Sequence, residues 1–143
     1  MTLPLRIVIR VGICALALIA AGCDGVTGTD GVAVVPSART FSTDAYATFV
    51  VRNDARETIH LDRCGNRVLA GLDRKEGLGW ENEIGAFCFL ALLSTPLALA
   101  PGESVTDSVF VRGPGVYRVV VGYGRGNLRI LYQARSGGFT VED

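Results

Sequence analysis

Three residue types that bind metals occur at alternate positions in one short stretch of the chain. His60, Asp62 and Cys64 lie within the sequence HLDRC, and His60 is the only histidine among the 143 residues. Alternate residues of a strand share one face, so the three side chains are expected to point the same way. They would be spread over about 13 Å of strand, whereas metal ligands must meet around one ion. We therefore predict no metal site and no cofactor.

Sequence motifs of well-known catalytic sites are missing from the chain. It has no Gly-x-Ser-x-Gly elbow, no Gly-x-x-x-x-Gly-Lys loop and no His-Glu-x-x-His motif. Glu81 and Glu83 are paired acids, but the sequence WENE is more typical of an exposed hairpin than of a glycosidase pair. The sequence therefore predicts that the protein is not an enzyme, and an enzyme centred on His60 is the alternative.

The first 23 residues have the features of an export signal. Arg6 and Arg10 precede a mostly apolar, uncharged stretch at 11–22, and small residues lie directly before Cys23. The stretch is shorter than the roughly 20 residues that a transmembrane helix needs, but it fits the h-region of a secretory signal. The alternatives are an uncleaved N-terminal anchor and an ordinary secretory signal.

The sequence AAGC at 20–23 resembles the lipobox of bacterial lipoproteins. This resemblance implies that residues 1–22 are a lipoprotein signal peptide, removed before Cys23, and that the Cys23 thiol carries the lipid. Two or more acyl chains hold a protein stably on a membrane. We therefore expect a location in the bacterial cell envelope, on the inner or outer membrane, with the folded domain outside the cytoplasm.

The cysteines that remain after export are expected to form a disulfide bond. Cys14 would leave with the signal and Cys23 would carry lipid, so the exported chain keeps Cys64 and Cys88. Disulfides persist in such compartments, and closing this loop would stabilise the fold by about 3.5 kcal/mol. A free or metal-binding pair is the alternative.

Composition gives the expected tether and partners. Residues 23–42 are predicted to be the lipidated N-terminus and tether, because the sequence DGVTGTDG after Cys23 is polar and rich in glycine. Without Arg6 and Arg10 the 14 basic residues fall to 12, against 14 acidic ones. No basic patch stands out, so we expect no nucleic-acid partner. The expected partners are the membrane, through Cys23, and an envelope protein.

Residues 43–143 show the alternation of β-strands rather than a helical period. In AYATFVVRN, at 45–53, apolar side chains occupy mostly every second position, and AFCFLALL, at 86–93, is continuously apolar like a strand covered on both faces. Turn residues separate further segments of similar length. The sequence therefore predicts an all-β fold, namely an immunoglobulin-like antiparallel β-sandwich of seven or eight strands.

Two loops supply the predicted contacts for a partner. Trp80 lies in GLGWENE; its leading predicted role is packing on the core near the Cys64–Cys88 bridge, and contact with a partner is the alternative. Tyr123, Arg125 and Asn127 lie in GYGRGN, which is predicted to be a hairpin tip. Sandwich domains often bind through the loops at their ends, so these residues are the candidate partner contacts.

The stretches LDRKEGLGW, LALAPGESV and GPGVYRV resemble motifs of bacterial exported Ig-like modules, including the BsuPI-type proteinase-inhibitor domain. Pro101 and Gly102 suit the centre of a type II turn, and Tyr117 is placed to form a tyrosine corner. The leading hypothesis is a membrane-anchored module that binds or helps to assemble an envelope protein. The resemblance implies proteinase inhibition as the alternative.

Overall fold

The computed structural model of the chain describes residues 31–89, 93–126 and 132–143. Every regular element within these ranges is a β-strand, and the strands form two sheets around an apolar core. The twelve strands are β1 (Val32–Pro36), β2 (Thr40–Ser42), β3 (Ala45–Asn53), β4 (Ile59–Cys64), β5 (Arg67–Val68), β6 (Ala70–Glu76), β7 (Gly79–Ile84), β8 (Leu93–Leu99), β9 (Ser104–Val111), β10 (Gly115–Arg125), β11 (Tyr132–Arg135) and β12 (Phe139–Glu142).

The smaller sheet consists of β1, β3 and β9, with β3 in the middle and antiparallel to both neighbours. Along β3 the side chains of Ala47, Phe49 and Val51 are buried in the core, and the residues between them are more exposed. A half-buried strand places every second side chain on its buried face, so this alternation confirms the strand predicted at 45–53.

The larger sheet is built on β10, which is paired along both of its edges. One edge carries β6 and then β4, and the other carries β12 and then β11, all antiparallel to β10. β7 pairs with β6, while β5 and β8 pair with β4. Tyr117, Val119 and Tyr123 of β10 are buried in the core, and the residues between them, such as Arg118, lie on the outer face of the sheet.

The predicted tether is wrong over its second half. Residues 23–42 were expected to be tether, but β1 pairs with β3 and β2 runs parallel to β12. Val32 and Val34 are buried in the core. Removing apolar area from water is favourable by about 25 cal/mol per Å², which favours folding the apolar sequence VAVVP onto the sandwich.

Interruptions of the pairing along β10 raise the number of strands above the seven or eight that the sequence predicted. Leu61 of β4 lies opposite Tyr123, and Ala70 of β6 lies opposite Val121. The chain between Leu61 and Ala70 leaves the pairing with β10 and forms a small hairpin, the 62–69 hairpin, in which the end of β4 pairs with β5. The backbone N of Leu69 donates to the carbonyl of Asp62 at 2.8 Å and closes the base of this hairpin.

The 62–69 hairpin joins the two sheets through Asp107 of β9. The Asp107 carboxylate accepts hydrogen bonds from the backbone N of Val68 and from Nε of Arg67, at 2.5 and 3.2 Å. The Arg67 guanidinium also lies over the Tyr46 ring, 5.0 Å from its centre. Because β5 belongs to the larger sheet and β9 to the smaller one, these contacts close one side of the sandwich.

The type II turn predicted at Pro101 and Gly102 is confirmed. Gly102 has a φ of +84°, which glycine adopts without strain. The backbone N of Glu103 donates to the carbonyl of Ala100 at 3.0 Å, which is the hydrogen bond that defines such a turn.

The tyrosine corner predicted at Tyr117 is also confirmed in its geometry. The Tyr117 hydroxyl donates to the carbonyl of Gly113 at 3.2 Å, and the ring is buried. Burial raises the pKa of the Tyr117 phenol above its usual range; the charge of Arg74 opposes this rise, and those of Glu83 and Glu76 add to it.

The apolar stretch at 86–93 is not a strand covered on both faces over the part that the structure describes. Residues 85–89 have no regular secondary structure, and β8 begins only at residue 93. Phe87 and Phe89 are 74% and 69% exposed. The physical reason is the disulfide bond from Cys88 to Cys64, which holds this segment against the end of β4 instead of within a sheet.

Candidate functional site

The residues with metal-binding side chains do not form a metal site. His60 and Asp62 lie on β4, and Cys64 is bonded to Cys88 with their Cα atoms 5.6 Å apart. Across the described ranges there is no group of three or more His, Cys, Asp or Glu side chains that could hold an ion. His60 lies opposite Gly124 of β10 and Ala98 of β8, and its Nδ1 is buried without a hydrogen-bond partner in the described part of the chain.

Two of the predicted partner contacts lie on strand β10 rather than at a hairpin tip. Tyr123 is 1% exposed and stacks on Tyr132 at 5.5 Å between ring centres, so its prediction as a contact is wrong. The reason is that β10 continues to Arg125, which places Tyr123 on the core face of a strand. Arg125 is paired with Glu57 at 3.5 Å and lies over the Tyr132 ring. The predicted contact Asn127 lies outside the described residues.

Trp80 lies on β7 and is half-buried. The Arg118 guanidinium is 4.5 Å from the centre of its ring, and Arg118 in turn donates from Nε to Asp73 at 2.8 Å. A side chain at Gly138 would meet the indole at 3.4 Å, so this glycine leaves the space that the ring occupies. Trp80 therefore packs on the outer face of the larger sheet, over Arg118 of β10 and beside Gly138, which directly precedes β12.

The predicted lipid site cannot be placed relative to the sandwich. Cys23 and residues 1–22 lie outside the described residues. Within the ranges that the structure does describe, there is no helix long and apolar enough to cross a membrane. Lipidation at Cys23 stays a prediction.

A pocket lies on the outer face of the larger sheet, and we call it the outer-face pocket. Its cavity volume is about 250 Å³. Its lining residues come from β4, β6, β7, β10 and β11, from the link between β5 and β6, and from the segment after β7. They are Asp62, Leu69, Gly71, Asn82, Ala86, Val120, Gly122 and Gln133. The sequence analysis considered Asp62 as a possible metal ligand, and the structure places it at the outer-face pocket.

Phe87 and Phe89 form a second surface feature next to this pocket, which we call the phenylalanine pair. The two rings meet edge to face with their centres 5.4 Å apart. Cys88, which lies between them, is held by the disulfide bond to Cys64. Sequence reasoning missed the pair because a continuous apolar run predicts burial. Cys88, between the two phenylalanines, was the one indication that a disulfide bond holds this segment at the surface.

Comparisons with known proteins give little beyond this geometry. No protein-family model matches the chain, and no curated protein matches it. Among solved structures, the chain is similar to the Pseudomonas fluorescens alkylpurine DNA glycosylase AlkC bound to DNA containing an abasic-site analogue, with 14% identity and a TM-score of 0.40. The match covers 83% of this chain and 32% of the glycosylase chain.

The prediction that the protein is not an enzyme is withdrawn, since a solved structure to which the chain is similar is that of an enzyme. With 14% identity and a TM-score of 0.40, the match assigns neither an activity nor a substrate to this chain. The protein is a β-sandwich protein, and its function has to be argued from its own surface.

Proposed function

We propose that the protein is a lipid-anchored, immunoglobulin-like binding module of the bacterial cell envelope. The N-terminal sequence supports export and lipidation at Cys23, and the Cys64–Cys88 disulfide bond fits an oxidising compartment. Once the signal is removed, residues 24–30 connect Cys23 to the described domain, so the module would be held close to its membrane.

The immunoglobulin-like assignment is supported by strand order. One sheet has the order β1-β3-β9, and the other places β2, β12, β10 and β4 side by side, with β2 parallel to β12. The Tyr117 hydroxyl bond to Gly113 at the start of β10 has the geometry of the tyrosine corner of such sandwiches.

The observation that carries the binding role is the phenylalanine pair. A soluble surface rarely exposes neighbouring large apolar side chains unless they bind something. The disulfide bond at Cys88 fixes the segment in place, so little conformational entropy would be lost when a partner binds. Without Arg6 and Arg10, the exported chain has 12 of the 14 basic residues and 14 acidic ones. This charge balance does not favour binding to an anionic lipid surface. The proposed partner is therefore an envelope protein with an apolar cleft.

Intact mass of the protein purified from membranes tests the anchor. We expect the mass of residues 23–143 plus the acyl groups, with two hydrogens fewer for the Cys64–Cys88 bond. The variant Cys23→Ala should keep its signal and carry no lipid. An unacylated, full-length wild-type chain with both thiols free would refute the anchored, exported module.

Site-specific crosslinking in the envelope tests the binding role. A photo-crosslinking residue at position 87 should give one defined product, and Phe89→Ser in the same chain should abolish it. Position 78 is the matched control, because Leu78 is fully exposed in the β6–β7 turn. The partner in the product, once purified, should bind the wild type at least tenfold more tightly than the Phe89→Ser variant. Equal crosslinking at 78 and 87, or equal affinity, would contradict the proposal.

Proteinase inhibition is the second candidate, and one observation favours it. Residues 85–89 have no regular structure, are held at the surface by the disulfide bond and expose aromatic side chains. A proteinase inhibitor presents a side chain in this way to a protease with an apolar specificity pocket. Inhibition of a chymotrypsin-like protease should then be lost in Phe87→Ala or Phe89→Ala and kept in Leu78→Ala. No inhibition by the wild type at micromolar concentration would reject this candidate.

A further inference from the structure

We propose that the outer-face pocket binds an aliphatic primary ammonium group, with Asp62 as its counter-charge. The ammonium would be that of a lysine side chain in a peptide or of a free alkylamine. This inference goes beyond the proposed function and does not depend on the lipid anchor or on the phenylalanine pair.

The pocket exists because the pairing along β10 is interrupted. Tyr123 pairs with Leu61 and Val121 pairs with Ala70, so Gly122 lies where the neighbouring strand changes from β4 to β6. Gly122 contributes no side chain to fill the gap left by the 62–69 hairpin. Its other neighbour is Gln133 of β11, which forms the opposite wall.

Close packing of the segment after β7 forms the remaining wall. A Cβ on Gly71 would lie 2.7 Å from the carbonyl oxygen of Ile84 and 3.0 Å from the backbone N of Ala86. Gly71 therefore lets this segment cross directly over the outer face of β6. The crossing brings Asn82 and Ala86 to the pocket.

Charge determines the kind of ligand. Among the described residues that line the pocket, Asp62 is the only ionisable one. Its carboxylate has no hydrogen-bond or ion-pair partner in the part of the chain that the structure describes, although the residue is half-buried. An unpaired carboxylate at the wall of a pocket favours a cation, and a cationic ligand would supply the missing counter-charge.

The cations on the same face are already engaged elsewhere. Arg118 lies 2.7 Å from the Asp73 carboxylate, and Arg135 lies 3.9 Å from the same oxygen. Arg135 also donates to the side-chain oxygen of Gln133 at 2.6 Å. Asp62 and Asn82 are thus the side chains left to accept hydrogen bonds from a ligand.

The remaining lining fits an aliphatic stem. Leu69, Ala86 and Val120 are apolar, and the two glycines contribute only backbone. A cavity of about 250 Å³ lies below the range of about 300–1,000 Å³ of drug-sized ligand sites. A single alkylammonium chain is small enough for it, and its three N–H donors match the carboxylate and the amide oxygen.

Titration of the protein with small amines, monitored by the NMR shifts of its backbone amides, tests this site. The protein is purified as the cell makes it. The probes are pentylamine, Nα-acetyl-lysine methylamide and the neutral Nα-acetyl-norleucine methylamide. We expect both ammonium probes to shift the amides of Ala86, Val120 and Gly122, and the neutral probe to bind at least tenfold more weakly. Tighter binding of the lysine derivative than of pentylamine would identify a peptide side chain as the ligand; the reverse order would identify a free amine.

Two variants separate charge from shape. Asp62→Asn keeps the side-chain size and should weaken ammonium binding at least tenfold, which is about 1.4 kcal/mol. Asp44→Asn is the matched control, because Asp44 is exposed in a turn at a φ of 50° that asparagine also adopts. No shifts at tens of millimolar amine, equal binding of the neutral probe, or unchanged affinity in Asp62→Asn would each overturn the proposal. Should Asp62→Asn not fold, the comparison of charged and neutral probes still decides.

Discussion

At the scale of single residues, Asn53 joins three segments at one end of the sandwich. Its side-chain Nδ2 donates to the carbonyls of Glu57 and Leu99, both at 2.8 Å, and its Oδ1 accepts from the backbone N of Ala55 at 3.0 Å. The residue is completely buried. Every polar atom of the side chain is therefore used, which is the condition for burying an amide without a large loss of free energy.

We predict that Asn53→Asp lowers the free energy of unfolding by about 2–4 kcal/mol. The substitution keeps the shape but replaces the double donor Nδ2 with an oxygen that faces two carbonyl oxygens. Urea unfolding followed by circular dichroism measures the change. Asn66→Asp, in the exposed turn between β4 and β5, is the control and should stay within about 0.5 kcal/mol of the wild type. Equal effects of the two substitutions would contradict this role of Asn53.

Tyr117 gives a prediction for alkaline pH. Burial raises the pKa of its phenol, with Arg74 opposing and Glu83 and Glu76 adding to the shift, so the folded state holds the phenolic proton more tightly than the unfolded state does. The resulting stability is complete below the ordinary tyrosine pKa of about 10 and is lost as pH rises through the higher folded value. We expect the free energy of unfolding to fall above pH 10, and to fall less steeply in Tyr117→Phe. Parallel pH curves for the two proteins would refute the assignment.

Sequence reasoning reached some of these residues and missed others for physical reasons. The turn at Gly102 and the corner at Tyr117 were predictable from local signals. A proline followed by a glycine marks the first turn, where Gly102 has a positive φ, and a tyrosine soon after the proline and glycine of GPGVYRV marks the second. The bonds between Asp107 and Arg67 and between Asn53 and Leu99 were not predictable, because these partners lie 40 and 46 residues away and depend on the arrangement of the two sheets. Asp62 was noticed for its residue type, but its pocket depends on the interruption of a strand.

At the scale of elements, the β6–β7 hairpin and the segment after it depend on one glycine. A Cβ on Gly71 would meet backbone atoms of Ile84 and Ala86 at 2.7 and 3.0 Å, and backbone cannot rotate away as a side chain can. Gly79, at the start of β7, has its nearest such neighbour, the carbonyl oxygen of Glu76, at 3.8 Å. A side chain at position 71 would therefore clash with backbone, whereas a side chain at position 79 would not.

We expect Gly71→Ala to destabilise the fold by about 1–3 kcal/mol, because overpacking against backbone forces the crossing segment away from β6. Gly79→Ala should be within about 0.5 kcal/mol of the wild type. Thermal unfolding of the two variants beside the wild type measures the difference. A Gly71→Ala protein as stable as Gly79→Ala would show that the crossing segment does not press on β6.

Strand prediction worked where one face of a strand is buried and failed where another constraint acts. Along β3 buried side chains alternate with more exposed ones, and the sequence marks this strand clearly. The apolar run at 86–93 predicted a covered strand, yet a disulfide bond holds its first half at the surface. Residues 32–42 were assigned to the tether because a glycine-rich stretch precedes them, although β1 pairs with β3 and its Val32 and Val34 enter the core.

At the scale of the whole molecule, the sandwich is closed by contacts of different kinds on its different sides. The 62–69 hairpin and Asp107 join the sheets on one side, β2 pairs with β12 on the larger sheet, and the disulfide bond ties the end of β4 to residue 88. The sequence predicted the all-β class, because its segments have period two and its turns are rich in glycine and proline. It could not give the closing contacts, since these join residues that are distant in the chain.

We predict that the double variant Cys64→Ser, Cys88→Ser loses about 3.5 kcal/mol of stability, the loop-entropy value for a separation of 24 residues. Urea unfolding of the oxidised wild type and of the double variant measures the loss. The wild type treated with a reducing agent should unfold like the double variant, which controls for the serines themselves. A loss below about 1 kcal/mol would mean that the unfolded chain is already compact near these residues.

The double pairing of β10 also bears on the order in which the molecule opens. Its residues 117, 120, 121 and 123 have paired strands on both edges, whereas β1 and β9 each pair with β3 alone in the part of the chain described here. Deuterium should consequently reach the amides of β1 and β9 through local fraying, long before it reaches the middle of β10. Only global unfolding exposes that middle segment, so its exchange rate in heavy water reports the stability of the entire sandwich.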